Sequence, residues 1–370
     1  MIELPPLVDQ HCHGVVRGDL GIASFETFLT ESDAPAAPGT TFFDTQTGFA
    51  VRRWCPPLLG LEPHCPPAHY LARRRELGAY ETARLLLRGT GIGTYLVDTG
   101  LPGDLMTPEE LAAAGGGAEA HEIVRLERLA ERVADTSAGG EAYASGVAEA
   151  VHEAASTALG FKSIAAYRHG LALAPEPPDP ADVVRAAAAW LEARHEHGSR
   201  LTDPVLIRHL LWTAVATGLP LQLHTGFGDP DLRLDHADPA LLTDFARATA
   251  GLGTDLVLLH CYPYHRQAAY LANVFPHVHA DVGLALTHVG PRAGAVLAEF
   301  LELAPFGKLL FSTDAYGLPE LYVVGAEAFR TAVREVLGGW VADGACSAAD
   351  ARRVAALVAA DNARRVYRLG

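Results

Sequence analysis

Short apolar runs alternate with stretches of helical period from one end of the chain to the other, the pattern of a parallel α/β protein. The runs predict strands at 7–11, 92–98, 122–127, 160–165, 219–224, 255–260, 277–282 and 308–313. Eight such runs suggest a closed (β/α)8 TIM barrel occupying residues 1–370 as a single domain. Between them the apolar spacing predicts helices, among them 141–158, 181–197, 204–217 and 239–250. Asp203-Pro204 and Asp238-Pro239 each read as an N-cap followed by proline in the first turn. The stretch 21–89 interrupts the alternation. It holds Pro35, Pro38, Pro56, Pro57, Pro66 and Pro67 before a helix-like 72–87, and it reads as a partly helical insertion over the barrel mouth. The glycine clusters at 115–117 and 139–140 read as surface loops, and there is no internal repeat.

Length and composition leave that picture standing. A prior of about 150 residues per domain would divide 370 residues into two or three, but one barrel takes roughly 250 and accepts insertions. Hydrophobic residues are 49% and charged residues 20%, enough for a large core. The formal net charge of −15 excludes the basic footprint of a nucleic-acid binder or of a protein held to anionic membranes. Cys12, Cys55, Cys65, Cys261 and Cys346 show no framework spacing and read as thiols in a reducing compartment. The first residues lack the basic and apolar regions of a signal peptide, and no apolar run approaches the roughly 20 residues of a membrane span. A cytoplasmic protein acting on a small molecule is expected, as a monomer or a homo-oligomer.

The 17 histidines direct attention to the strand ends. His11 and His13 close the first run two residues apart, so both side chains face the same way. His224 closes Leu-Pro-Leu-Gln-Leu-His, and His260 closes Leu-Val-Leu-Leu-His. Ends of parallel barrel strands are where barrel enzymes place their chemistry. One such histidine could be a hydrogen-bonded core residue, but four at three strand ends are hard to explain as packing. Asp314 ends the run Leu-Leu-Phe-Ser-Thr-Asp, and a buried carboxylate there needs a metal, a histidine or a donor. Together these residues supply the imidazole and carboxylate donors of a catalytic site for Zn²⁺, with Mn²⁺ or Fe²⁺ as alternatives. Lys162, at the fourth run, either pairs with a barrel carboxylate or, as a carbamate, bridges two ions.

At these residues the chain resembles the amidohydrolase superfamily, and within it the FluG-like amidohydrolases. The phrases that carry the resemblance are Phe161-Lys-Ser-Ile-Ala-Ala-Tyr-Arg168, Leu201-Thr-Asp-Pro-Val-Leu-Ile-Arg208, Leu221-Gln-Leu-His-Thr-Gly-Phe-Gly-Asp229 and Leu309-Leu-Phe-Ser-Thr-Asp314. The resemblance implies that His11, His13, His224 and Asp314 are metal ligands, with His260 a ligand or a base. Lys162 matches the bridging lysine of members with two metals, so one ion or two are both compatible. Cys12 stands where relatives carry Asn or Ala, and strand alternation turns it away from the site.

The implied reaction is hydrolysis of a C–N, amide-type bond with Asp314 as general base and His260 stabilising developing charge. Arg168, Arg125 and Glu127 are candidates for reading a substrate carboxylate, Arg168 foremost, although each could equally belong to a structural ion pair. Non-oxidative decarboxylation of a small organic acid is the alternative reaction. A non-catalytic sensor or scaffold on the same barrel is the third reading, which the retention of every ligand type disfavours.

Overall fold

Residues 2–370 are described by a computed structural model. Seven strands form, namely β1 (Leu7–Cys12), β2 (Ile92–Asp98), β3 (Glu119–Arg125), β4 (Gly160–Ser163), β5 (Leu221–Thr225), β6 (Leu256–His260) and β7 (Val278–Ala280). The chain divides into two compact units.

The first unit comprises residues 2–121 with Gly228–Pro230 and Asp281–Gly370. Within it β1 runs parallel to β2, with Leu7 opposite Ile92 and Cys12 opposite Val97. Both strands are almost wholly buried, as continuous apolar runs in a parallel sheet must be. Between them the chain forms the helices Gln46–Leu58, Pro67–Leu77 and Ala79–Gly89. The expected single helix over 72–87 is therefore two, because Gly78 takes φ 79 and donates back to Arg74 O. Val51, Tyr70 and Leu86 of these helices, with Phe25 and Phe43 from the segment before them, are buried in one core with Leu318, Val323 and Val324 at the start of the helix Pro319–Ala342. Arg74 reaches the buried Glu320 at 2.7 Å, and Tyr70 donates to the same carboxylate at 2.8 Å.

The eighth expected strand, 308–313, does not form a regular strand. The segment does run beside β1, since Gln10 N donates to Phe311 O at 3.0 Å and Asp314 N to His11 O at 3.0 Å. Between those two bonds the Asp9 side chain takes over, accepting from Thr313 N at 2.9 Å and from Thr313 Oγ1 at 2.5 Å. A carboxylate standing in for a backbone carbonyl breaks the ladder while leaving no donor orphaned.

The second unit comprises Glu122–Phe227 and Asp231–Ala280. Here β3, β4, β5, β6 and β7 pair in chain order, each parallel to the next. Asp203 caps Pro204–Val215 by accepting from Val205 N and Leu206 N, as the Asp-Pro signal predicts. Asp238 also caps, but it opens a tight turn, Pro239–Leu242, and then a short helix, Thr243–Thr249, in place of one helix over 239–250. Glu127 is corrected as well: β3 stops at Arg125, and the helix Leu126–Thr136 begins at once and carries Glu127 in its first turn. Among the described residues no helix is long and apolar enough to cross a membrane.

Candidate metal centre

In the first unit, the parallel geometry of β1 puts His11 and His13 on one side, with ring centroids 5.0 Å apart and planes at 84°. Cys12 between them donates to Leu96 O at 3.5 Å, and burial pushes its thiol up. His13 Nδ1 lies 3.0 Å from Asp98 O, which leaves Nε2 as its outward donor atom. That atom is 3.4 Å from Asp314 Oδ1, and His11 Nε2 is 3.1 Å from the same oxygen. His11, His13 and Asp98 can each offer one ligand atom within 4.8 Å of the others. The set mixes imidazoles with a carboxylate, the donor chemistry that suits Zn²⁺, Mn²⁺ or Fe²⁺.

Two observations mark this cluster as more than packing. Asp314 holds φ 52, a left-handed conformation that costs a non-glycine residue of order 1–3 kcal/mol and persists where the surroundings enforce it. Its side chain is also 15% exposed while that of His11 is at 0%, so the carboxylate alone of the pair meets solvent. Beneath lies Asp9, which burial pushes up to about 8 against the lowering effect of its bonds to Thr313. Its bonds to the Thr313 backbone and side chain fix the residue next to Asp314.

Asp98 is the member that the strand-end reasoning passed over. The signal was present, because Tyr95-Leu-Val-Asp98 ends β2 in a buried carboxylate just as Leu-Phe-Ser-Thr-Asp ends in Asp314.

The remaining candidates belong to the second unit. His224 and His260 end β5 and β6 with ring centroids 4.6 Å apart, and Tyr167 lies 4.5 Å from His224. His260 and the following Cys261 both take positive φ, at 68 and 61. Lys162 is buried on β4, opposite Arg125 on one side and Gln222 on the other. Glu127 Oε1 accepts from Ser163 Oγ at 2.6 Å and from Ile164 N at 3.0 Å. Arg168 Nη1 lies 2.9 Å from Glu131 Oε1, and burial pulls its guanidinium down from the usual arginine range. Its Nε is nevertheless buried without a hydrogen-bond partner.

A family model described as Amidohydrolase matches residues 94–369. The protein fluG of Emericella nidulans is 35% identical over 223 residues, which are 57% of this chain but 26% of the fungal protein. The chain thus spans about a quarter of that relative's length. Among solved structures, a Lactobacillus casei ATCC 334 protein assigned as a metal-dependent hydrolase matches with TM-score 0.85 and 28% identity, covering 99% of this chain and 96% of that one. A uronate isomerase from Bacillus halodurans C-125 matches with TM-score 0.67 at 13% identity, over 99% of this chain and 94% of its own, and shares the fold.

Proposed function

The chain belongs to the amidohydrolase family, and on that premise we propose that it is a metal-dependent enzyme hydrolysing a C–N, amide-type bond of a small substrate that carries a carboxylate. In this reading the architecture is a (β/α)8 barrel and residues 21–89 shape its mouth. The observation that carries the proposal is the convergence of two imidazoles and two carboxylates in the first unit, with the partly exposed Asp314 in a strained backbone conformation.

His11, His13, Asp98 and Asp314 would hold a divalent cation, with His224 and His260 as further imidazole ligands on the family pattern. A bound cation of this kind lowers the pKa of water toward about 7 and polarises a carbonyl. Asp314, partly open to solvent, accepts the proton of the attacking water at its carboxylate and returns it to the departing nitrogen. His11 and His13, aimed at that carboxylate, hold it in place. His260 stabilises developing charge. Lys162 completes a two-ion site if it is carboxylated, and is otherwise a buried structural cation.

Arg168 reads the substrate carboxylate. A guanidinium has five donors, so the contact with Glu131 leaves others for a ligand. Arg125, ending β3, is the second basic candidate, and Glu127 acts by holding Ser163 and Ile164 in place.

Product analysis on a panel of N-acyl amino acids and free organic acids tests the reading. Amine release with one to two equivalents of metal per chain supports it. Release of CO2 from the free acids, or amine release that chelators leave untouched, overturns it.

A further inference from the structure

Residues 21–89 contribute one aromatic ring to the surroundings of the histidine cluster. The tight turn Thr27–Leu29 is pinned on both sides, because Phe25 and Leu29 are buried in the first unit's core. Phe25 stacks on Phe43 at 5.5 Å with planes 7° apart. Phe28, between the two anchors, is only partly buried. Its ring lies 5.4 Å from that of Tyr316 at 66°, and the Tyr316 ring lies 6.0 Å from that of His13 at 87°. Tyr316 too is only partly buried.

The chain has made room for this contact. Gly317 takes φ 75, and a Cβ there would stand 2.1 Å from Phe28 Cε1. No other residue type allows both the backbone turn after Asp314 and the seat of the Phe28 ring. The ordered series is thus Phe28, Tyr316, His13, with Asp314 two residues before Tyr316, all within one unit. Two incompletely covered rings in edge contact, next to candidate ligands, offer π surface where the reacting end of a substrate would lie.

We propose that Phe28 and Tyr316 form an aromatic wall that determines specificity, selecting substrates with a planar, π-bearing acyl or amide group beside the scissile bond. The proposal rests on the hydrolase reading for the word substrate, but the wall can be tested by binding alone.

The experiment uses the purified metal-loaded protein and calorimetric titration with benzoate and cyclohexanecarboxylate, acids of equal charge and similar size. A preference for benzoate of about 2- to 12-fold is expected, the range an aromatic pair contributes. Phe28→Leu and Tyr316→Leu should each bring that ratio toward one with metal content unchanged, while Tyr316→Phe should keep it, since the ring and not the hydroxyl is used. A parent ratio of one, an absence of benzoate binding, or leucine variants that weaken both acids equally would overturn the wall. The two readings fail separately. A metal-loaded protein that hydrolyses amides without preferring benzoate loses the wall and keeps the hydrolase. One that prefers benzoate through Phe28 and Tyr316 yet hydrolyses nothing keeps the wall and loses the hydrolase.

Discussion

The histidines of the first unit and those of the second stand at equivalent places, the ends of parallel strands, but in different company. His11 and His13 meet Asp314 at 3.1 and 3.4 Å, with the buried Asp98 beside them. His224 meets His260 and Tyr167 ring to ring. Carboxylates brought together in a protein interior are costly unless a cation or strong donors offset them. Rings packed on rings carry no such cost. A strand-end histidine therefore signals a metal most strongly when a carboxylate shares its site, as Asp314 does with His11 and His13.

The largest effect that could break this contrast is loss of the metal itself. The double variant His11→Ala with His13→Ala should bind no stoichiometric metal by elemental analysis, whereas His224→Ala should lower occupancy without abolishing it. Equal losses from both would erase the distinction.

Asp314→Asn comes next. It keeps the shape but cannot take a proton at neutral pH, so kcat should fall by about 10²–10⁴-fold with the fold and metal retained. Turnover within about threefold of the parent would move the base elsewhere, with His260 first in line.

Asp98→Asn tests the residue found only in the structure. A decrease of about 10- to 100-fold in metal affinity, read by chelator competition, is expected if Asp98 orients or binds the ion. Unchanged affinity would reduce the centre to His11, His13 and Asp314.

If Lys162, in the second unit, is a carbamate that bridges two ions, Lys162→Ala should remove about one metal equivalent and be partly rescued by short-chain carboxylic acids. Full metal and full activity would make the lysine structural.

The smallest effect concerns Glu127, whose burial raises its pKa above the usual glutamate value despite bonds from Ser163 and Ile164. A carboxyl raised in the folded state favours folding most below its unfolded pKa, and that contribution is lost as pH rises through the folded value. Glu127→Gln should lower stability by about 1–3 kcal/mol through weakened bonds at Ser163 and Ile164, read as a lower Tm, and should flatten the dependence of Tm on pH over that window. A variant with the parent's slope would show that another group titrates.

Much of this was legible because buried parallel strands write themselves as continuous apolar runs, and the residue that ends each run is conspicuous. Seven of the eight expected runs became strands on that signal. The eighth was lost to Asp9, whose bonds to Thr313 span 304 positions and leave no local trace. Glu127 was misplaced because no turn residue separates β3 from the next helix. The ring of Phe28 was beyond reach, since nothing near it in the chain announces that Gly317 will leave it a seat.

The pairing of β1 with the segment ending in Asp314 also bears on how the protein is made. During synthesis His11 must wait for Asp314, made 303 positions later, before the centre can close. Until then one side of β1 is an open strand edge, the kind of surface that invites pairing with the wrong chain. An ion captured before then could be held by His11 and His13 at the end of β1 with Asp98 at the end of β2, without Asp314.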